Sequence, residues 1–316
     1  MLDTQTPSAS VTPALSHRIN VATRVSHAHL NALILSLLPL SLPPYATNAS
    51  FYAKGLRDIL PIYAAFEGAF RLLLLRSRDE YGEKDMLLAD ALGELHMPQL
   101  ERAGRLRNDI ERILGASHDL PEERAQASQL HTFTTHIRAS IESRPHLLLT
   151  YTWLLYMALF NGGRYIRAKL RQAGPAFWEN SLSKEEDGID SCLCFWGFDG
   201  QGGGEDIKAE FKRRFAGVEP CLTGGEKEEV VQEAVLVMQT MVEVVKDISH
   251  DVGSGRNAKQ AGFANGQNTQ IEEEKSTVQR AEEDELSMSW LLLRQFLPMG
   301  MAELIDGARR AVIMGI

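Results

Sequence analysis

Three cysteines in 316 residues, Cys192, Cys194 and Cys221, are too few for a disulfide framework and point to a reducing compartment. Cations are also in deficit. The 33 Lys and Arg stand against 42 Asp and Glu, a net charge of −9, which excludes broad non-specific affinity for nucleic acid or an anionic membrane and leaves only local basic patches. No apolar run approaches the roughly 20 residues of a membrane span. The closest stretch, 290–316, is broken by Arg294, Glu303, Asp306, Arg309 and Arg310 and reads as one or two amphipathic helices. A Rossmann or flavin fingerprint is missing, so the chain supplies no reductase of its own. The first residues, MLDTQTPSASVTPALS, lack a charged segment followed by an apolar one. No secretory leader is expected, and a cytoplasmic location follows, with peripheral membrane contact left open. Paired strand patterns and internal repeats are absent as well.

Helical periodicity is what remains. Val21, Val25, Leu30, Leu33, Ile34 and Leu37 recur at helical spacing over 16–38, and Pro39, Pro43 and Pro44 end that run. A second helix is predicted over 50–77, with Pro61 expected to kink or split it. Further helices are predicted over 98–114, 121–142, 145–173, 205–215 and 227–248, separated by a long loop over 174–204. The stretch 249–285 is polar and rich in Gly, Asn, Gln and Glu, which buries too little apolar surface to offset its ordering entropy. The expectation is an all-α, multi-helix bundle over 16–248. It is flanked by a disordered N-terminus (1–15), a disordered insert (249–285) and a C-terminal helical tail (286–316).

Two segments carry chemistry. In the first helix Thr23, Leu30 and Ile34 share a face with His27, and Arg24 leans toward the same side. An imidazole on an apolar face with a cation one turn away suits a metalloporphyrin: nitrogen to iron, apolar side chains to the macrocycle, cation to a propionate. The same pattern equally describes a core histidine. His29 sits about 200° round the helix and cannot serve the same ligand. The second segment is Gly162-Gly163, between strong helix formers. Each glycine there costs roughly 1 kcal/mol against alanine, which is explained either by close helix packing or by something flat and bulky approaching the backbone. Cys192-x-Cys194 has metal-ligand spacing but no second pair of ligands near it in sequence.

Together these residues resemble heme oxygenase. Ala22-Thr23-Arg24-Val25-Ser26-His27 is similar to that family's Ala-Thr-Lys-x-x-His, whose His is the proximal heme ligand and whose Lys faces a propionate. The segment from Pro145-His146-Leu147-Leu148 through Tyr156 to Gly162-Gly163 resembles the family's Pro-Glu-Leu-Leu…Tyr-Leu-Gly-Asp-Leu-Ser-Gly-Gly without a gap. Phe195-Trp196-Gly197-Phe198 is similar to an aromatic run in the family. Lys208-Ala209-Glu210-Phe211-Lys212-Arg213-Arg214 resembles its Lys-Gln-Leu-Tyr-Arg-Ser-Arg helix. Glu233-Ala234 lies where the family has Glu-Ala, and Leu100, Arg102, Leu106 and Asp109 echo a Leu-x-Arg…Leu-x-x-Asp helix. The resemblance covers about residues 18–248.

The resemblance implies heme as both substrate and cofactor, dioxygen, and an external electron donor, a partner reductase. His27 would be the metal ligand. Arg24, Lys208, Lys212 and Trp153 would form the heme-binding set, and Asn161, Gly162 and Gly163 the catalytic distal set. The implied reaction opens the macrocycle to a linear tetrapyrrole with release of carbon monoxide and iron. Two departures bear on turnover. Leu159 stands where the family has a distal Asp that organises proton delivery, and Ala158 where it has a Gly. Asn161, Arg164 or water held by the backbone would have to supply the missing polar group. A heme-binding sensor or carrier on the same fold therefore stays open beside the enzyme. So do a heme-free scaffold and a non-heme di-iron protein using Glu67 and Asp109, the last weakened by the lack of any Glu-x-x-His motif.

Overall fold

The computed structural model describes residues 13–76, 82–115, 129–181, 188–199 and 201–260. The chain divides into two units, Met1–Val252 and Gly253–Ile316, and the described helices lie in the first apart from the last residues of the final one. Eleven α-helices are found among the described residues, and no strand. They are α1 (Leu15–Ala22), α2 (Arg24–Leu37), α3 (Ser50–Leu75), α4 (Glu83–Leu95), α5 (Ala103–Leu114), α6 (Gln129–Ser143), α7 (Leu148–Ala158), α8 (Arg164–Gln172), α9 (Pro175–Trp178), α10 (Glu205–Val218) and α11 (Gly224–Gln260). A π-helical segment, Leu159–Gly163, joins α7 to α8. No helix among the described residues is long and apolar enough to cross a membrane.

Helix α3 is the central post, packed against α5 and α6. Tyr52, Leu56, Leu60, Tyr63, Phe66, Phe70 and Leu73 recur at helical spacing and are buried. Each such side chain contributes about 1.5–3 kcal/mol when removed from water. That explains why Pro61 does not split the helix: Leu60 and Ile62 are buried on either side of it and hold the backbone helical despite one lost hydrogen bond. Helix α7 is apolar all round, with Leu148 through Trp153, Leu155 and Tyr156 all buried. It is the innermost element, and everything at its C-terminal end is positioned by that burial.

The structure departs from the sequence reading in four places. The run 16–38 is two helices that meet at Thr23 (φ −93°, ψ −1°), whose hydroxyl donates to the Ile19 carbonyl at 2.8 Å. A threonine that bonds the preceding turn competes with the backbone ladder. Helix α4 fills a stretch that had no assignment, with Leu88, Leu92 and Leu95 buried at i, i+4, i+7. The loop after 174 is not bare: α9 and short 3-10 turns occupy it, with Phe177 and Trp178 buried. Finally α11 runs to Gln260, so residues 249–260 of the expected disordered insert have a helical backbone. A formed helix lengthens by one bond per residue fixed, which costs far less than starting one. Residues 1–12 and 261–316, with most of the N-terminal and tail assignments, lie outside the described residues.

Candidate functional site

Burial of α7 fixes one face of the π segment and leaves the other open. Leu159, Phe160 and Gly163 are buried, while Ala158, Asn161 and Gly162 form an exposed stripe at i, i+3, i+4. π segments within α-helices are often found at functional sites. The two glycines are there for different reasons. A Cβ on Gly163 would stand 3.0 Å from Cε3 of Trp196, whose indole nitrogen donates to the Tyr52 hydroxyl at 2.7 Å. A Cβ on Gly162 would meet nothing within 4 Å. Gly163 thus answers the packing explanation, and Gly162 leaves the backbone bare beside open space. Leu159 is 2% exposed and points to the core. The sequence reading set it beside the distal site; the residues of this stretch that face the open side are Ala158, Asn161 and Gly162.

Asn161 is held by α10. Lys208 Nζ donates to Asn161 Oδ1 at 3.1 Å and lies 3.8 Å from Glu205. Arg164 binds Glu205 at 2.5 Å and the Gly203 carbonyl at 2.8 Å, tying the start of α8 to the glycine turn that precedes α10. That turn needs glycine: Gly202, Gly203 and Gly204 have φ of 65°, 65° and 85°. Lys212, one turn beyond Lys208, is exposed. Trp153 is not on the open stripe. Its indole donates to Asn20 Oδ1 at 3.0 Å and its ring packs on Phe211 and Phe215, so it fastens α7 to α1 and α10.

On the other segment α1 is anchored and α2 is not. Leu15 and Ile19 are fully buried, the Leu15 N–H donates to Glu219 at 3.0 Å, and Arg18 pairs with Glu228 at 2.6 Å. Beyond Thr23, helix α2 has no buried residue, although Leu30, Leu33, Ile34, Leu35 and Leu37 are all apolar. Arg24 and His27 are both exposed. Enough protein nevertheless surrounds the His27 imidazole for desolvation to hold its pKa below the ordinary value. Desolvation favours the uncharged imidazole, the form with a nitrogen lone pair available.

The remaining candidates have structural partners. Glu67 accepts the Arg102 and Ala103 N–H groups at 2.6 and 2.9 Å and caps α5. Asp109 accepts the Cys194 and Phe195 N–H groups at 3.0 and 2.8 Å and pins the aromatic run that sets Trp196 on Gly163. Arg102 is fully buried with its guanidinium 4.5 Å over the Phe198 ring. Among the described residues no cluster of His, Cys, Asp and Glu could hold a metal ion, and burial raises the Cys194 thiol to about 11, away from thiolate. Sequence reasoning missed Tyr52, Asn20 and the Lys208–Asn161 contact. The aromatic run 195–198 was the visible signal for the first; the others join elements far apart in sequence.

The residues present fit a heme. They offer an exposed imidazole, an apolar helix with no buried residue, exposed cations for two carboxylates, and a bare backbone at Gly162. No protein-family model matches the sequence. The heme-binding protein HMX1 of Saccharomyces cerevisiae is 22% identical over 252 residues, 77% of each chain. Among solved structures, heme oxygenase 2 from Chlamydomonas reinhardtii without heme matches at a TM-score of 0.59 and 19% identity, over 74% of this chain and 97% of that one. Heme oxygenase-1 from the cyanobacterium Synechocystis in complex with heme matches at 0.58 and 16%, over 80% and 100%. By fold, then, the chain is a heme oxygenase-like protein.

Proposed function

We propose that this protein binds one heme, with His27 as the iron ligand, and opens it oxidatively to a linear tetrapyrrole, carbon monoxide and iron. The observation that carries the binding half is helix α2, whose apolar side chains have no buried member and whose His27 is accessible. The name of the yeast relative, a heme-binding protein, agrees with it. Arg24 and Lys212, both exposed, meet the two propionates and fix the ring's rotation in its plane. Gly162 lets the ring pass close to the distal backbone, and Ala158 adds one methyl to the same surface. Heme supplies the site of dioxygen chemistry when bound; electrons come from a separate reductase. The chain's own part is to orient the ring, exclude bulk water and present a hydrogen-bonding group on the distal side. On the open stripe that group is Asn161, since Leu159 faces the core.

A carrier or sensor on the same fold is the second reading, favoured by the absence of any carboxylate on the stripe of Ala158, Asn161 and Gly162. Hemin titration followed by absorption spectroscopy tests binding. A one-to-one complex with a histidine-ligated Soret band is expected, lost in His27→Ala and kept in His29→Ala. The reverse pattern would mean the ligand is misassigned. Adding a reductase or ascorbate to the complex then separates the two readings, bilin formation supporting the enzyme and a stable spectrum the carrier.

A further inference from the structure

We infer that Lys208 is a positioning residue for Asn161, turning its amide N–H groups toward the distal face, rather than a cation that meets a propionate. This rests on the heme reading of the site above. An ammonium has donors and no acceptor, so the amide atom it meets at 3.1 Å must be the oxygen. That contact fixes which way the amide lies. With Oδ1 occupied, the two N–H groups are directed away from α10, and among the described residues nothing accepts from them. Asn161 is exposed on the same stripe as Gly162, where the backbone borders open space. The amide therefore presents donors to whatever occupies the distal side.

Three further observations favour this role over a propionate contact. The Lys208 side chain is only 18% exposed, lying against the π segment, whereas Lys212 stands out in solvent one turn later. Lys208 is already engaged by Asn161 and by Glu205, and Glu205 is itself held by Arg164. Residue 161 also lies inside a helix, where asparagine is a weak helix former and its amide needs an outside partner to stay in one orientation. Lys208 provides that partner from a neighbouring helix.

The experiment has two arms. In the heme-loaded protein, the C–O stretch of the carbon monoxide complex reports a hydrogen-bond donor near the distal ligand. Asn161→Ala and Lys208→Met should shift it to higher wavenumber by similar amounts, the double variant should shift it no further, and Lys208→Arg should restore most of the parent value. If Lys208 meets a propionate instead, Lys208→Met will weaken hemin binding and leave the stretch unmoved, which overturns the assignment. In the heme-free protein, the side-chain amide resonances of Asn161 should move in Lys208→Met and return in Lys208→Arg; unchanged resonances overturn the pairing. A parent chain that takes up no hemin defeats the heme reading and removes the amide's target, while the heme-free arm still decides whether Lys208 orients Asn161.

Discussion

The indole of Trp196 lies against the backbone of Gly163, so close that a methyl group at 163 would stand 3.0 Å from Cε3. One residue earlier, Gly162 faces open space. The same substitution should therefore have opposite effects at adjacent positions. Gly163→Ala gains about 1 kcal/mol of helix propensity but forces Trp196 to move, at about 1–3 kcal/mol for overpacking. Tyr52 restrains that movement, so a net loss of stability is expected. Gly162→Ala should raise the stability of the heme-free chain by up to about 1 kcal/mol while weakening hemin uptake. Denaturation midpoints and hemin titrations of both variants check this; equal behaviour would mean that the glycines share one role.

Leu159→Asp should strongly destabilise the protein rather than repair a proton route. The side chain is 2% exposed, and a carboxylate there would lose its hydration while the leucine's packing is forfeited, a loss of roughly 3 kcal/mol or more. Ala158→Asp places the same group on the exposed stripe and should cost less than about 1 kcal/mol. Comparing the denaturation midpoints of the two variants decides the matter. A stable Leu159→Asp would mean that position 159 reaches water.

Glu67 should make the fold pH-dependent near neutrality. Burial pushes its carboxyl up to about 7, against the pull of the Ala103 and Arg102 N–H groups. An acid whose folded-state pKa lies above its unfolded value of 4.5 binds its proton more tightly when folded. Its contribution is thus most favourable below 4.5 and is lost as pH rises toward 7, by roughly 3 kcal/mol at most. Chemical denaturation of wild type and Glu67→Gln between about pH 5 and pH 8 isolates this contribution. The wild type should fall more steeply, and parallel curves would show that Glu67 titrates normally.

Hydrogen exchange should divide the first two helices at Thr23. Amides of α1, held by Leu15, Ile19 and the Arg18–Glu228 pair, should be protected in the heme-free chain. Those of α2, with no buried residue, should exchange much faster. Hemin should slow α2 by about tenfold or more and barely affect α1. Equal protection of both helices before hemin is added would contradict the division at Thr23.

Much of the fold was legible in the sequence. The bundle follows from apolar periodicity in α3 and α5 and from the continuous apolar run of α7. Pro145 opens the 3-10 turn that leads into α7, whereas Pro98 opens a separate 3-10 turn and α5 starts only at Ala103. Helix α4 could have been found from the helical spacing of Leu88, Leu92 and Leu95. The break at Thr23 and the π segment were not legible, because each depends on a local hydrogen-bond choice that burial of neighbouring elements decides. Leu159 was matched to the family's distal Asp through the motif that ends in Gly162-Gly163; its burial, with Ala158 and Asn161 exposed on either side, comes from how α7 packs, which the motif does not carry. Lys208 was identified as a functional cation, yet its partner was not, since the two residues meet only in three dimensions.

The π segment also sets what kind of sequence change this site tolerates. It contains one residue more than the α-helix it interrupts, so it works as an absorbed insertion. Because the extra residue is taken up locally, deleting one would restore regular helix and leave α7 and α8 in the phase they now have. The core face of α7 and the Arg164–Glu205 pair would then be kept, and the change would fall on the stripe of Ala158, Asn161 and Gly162. Substitutions here alter the chemistry of that stripe. A single deletion would remove the stripe and spare the bundle around it, so the open surface depends on one residue that the fold itself does not need.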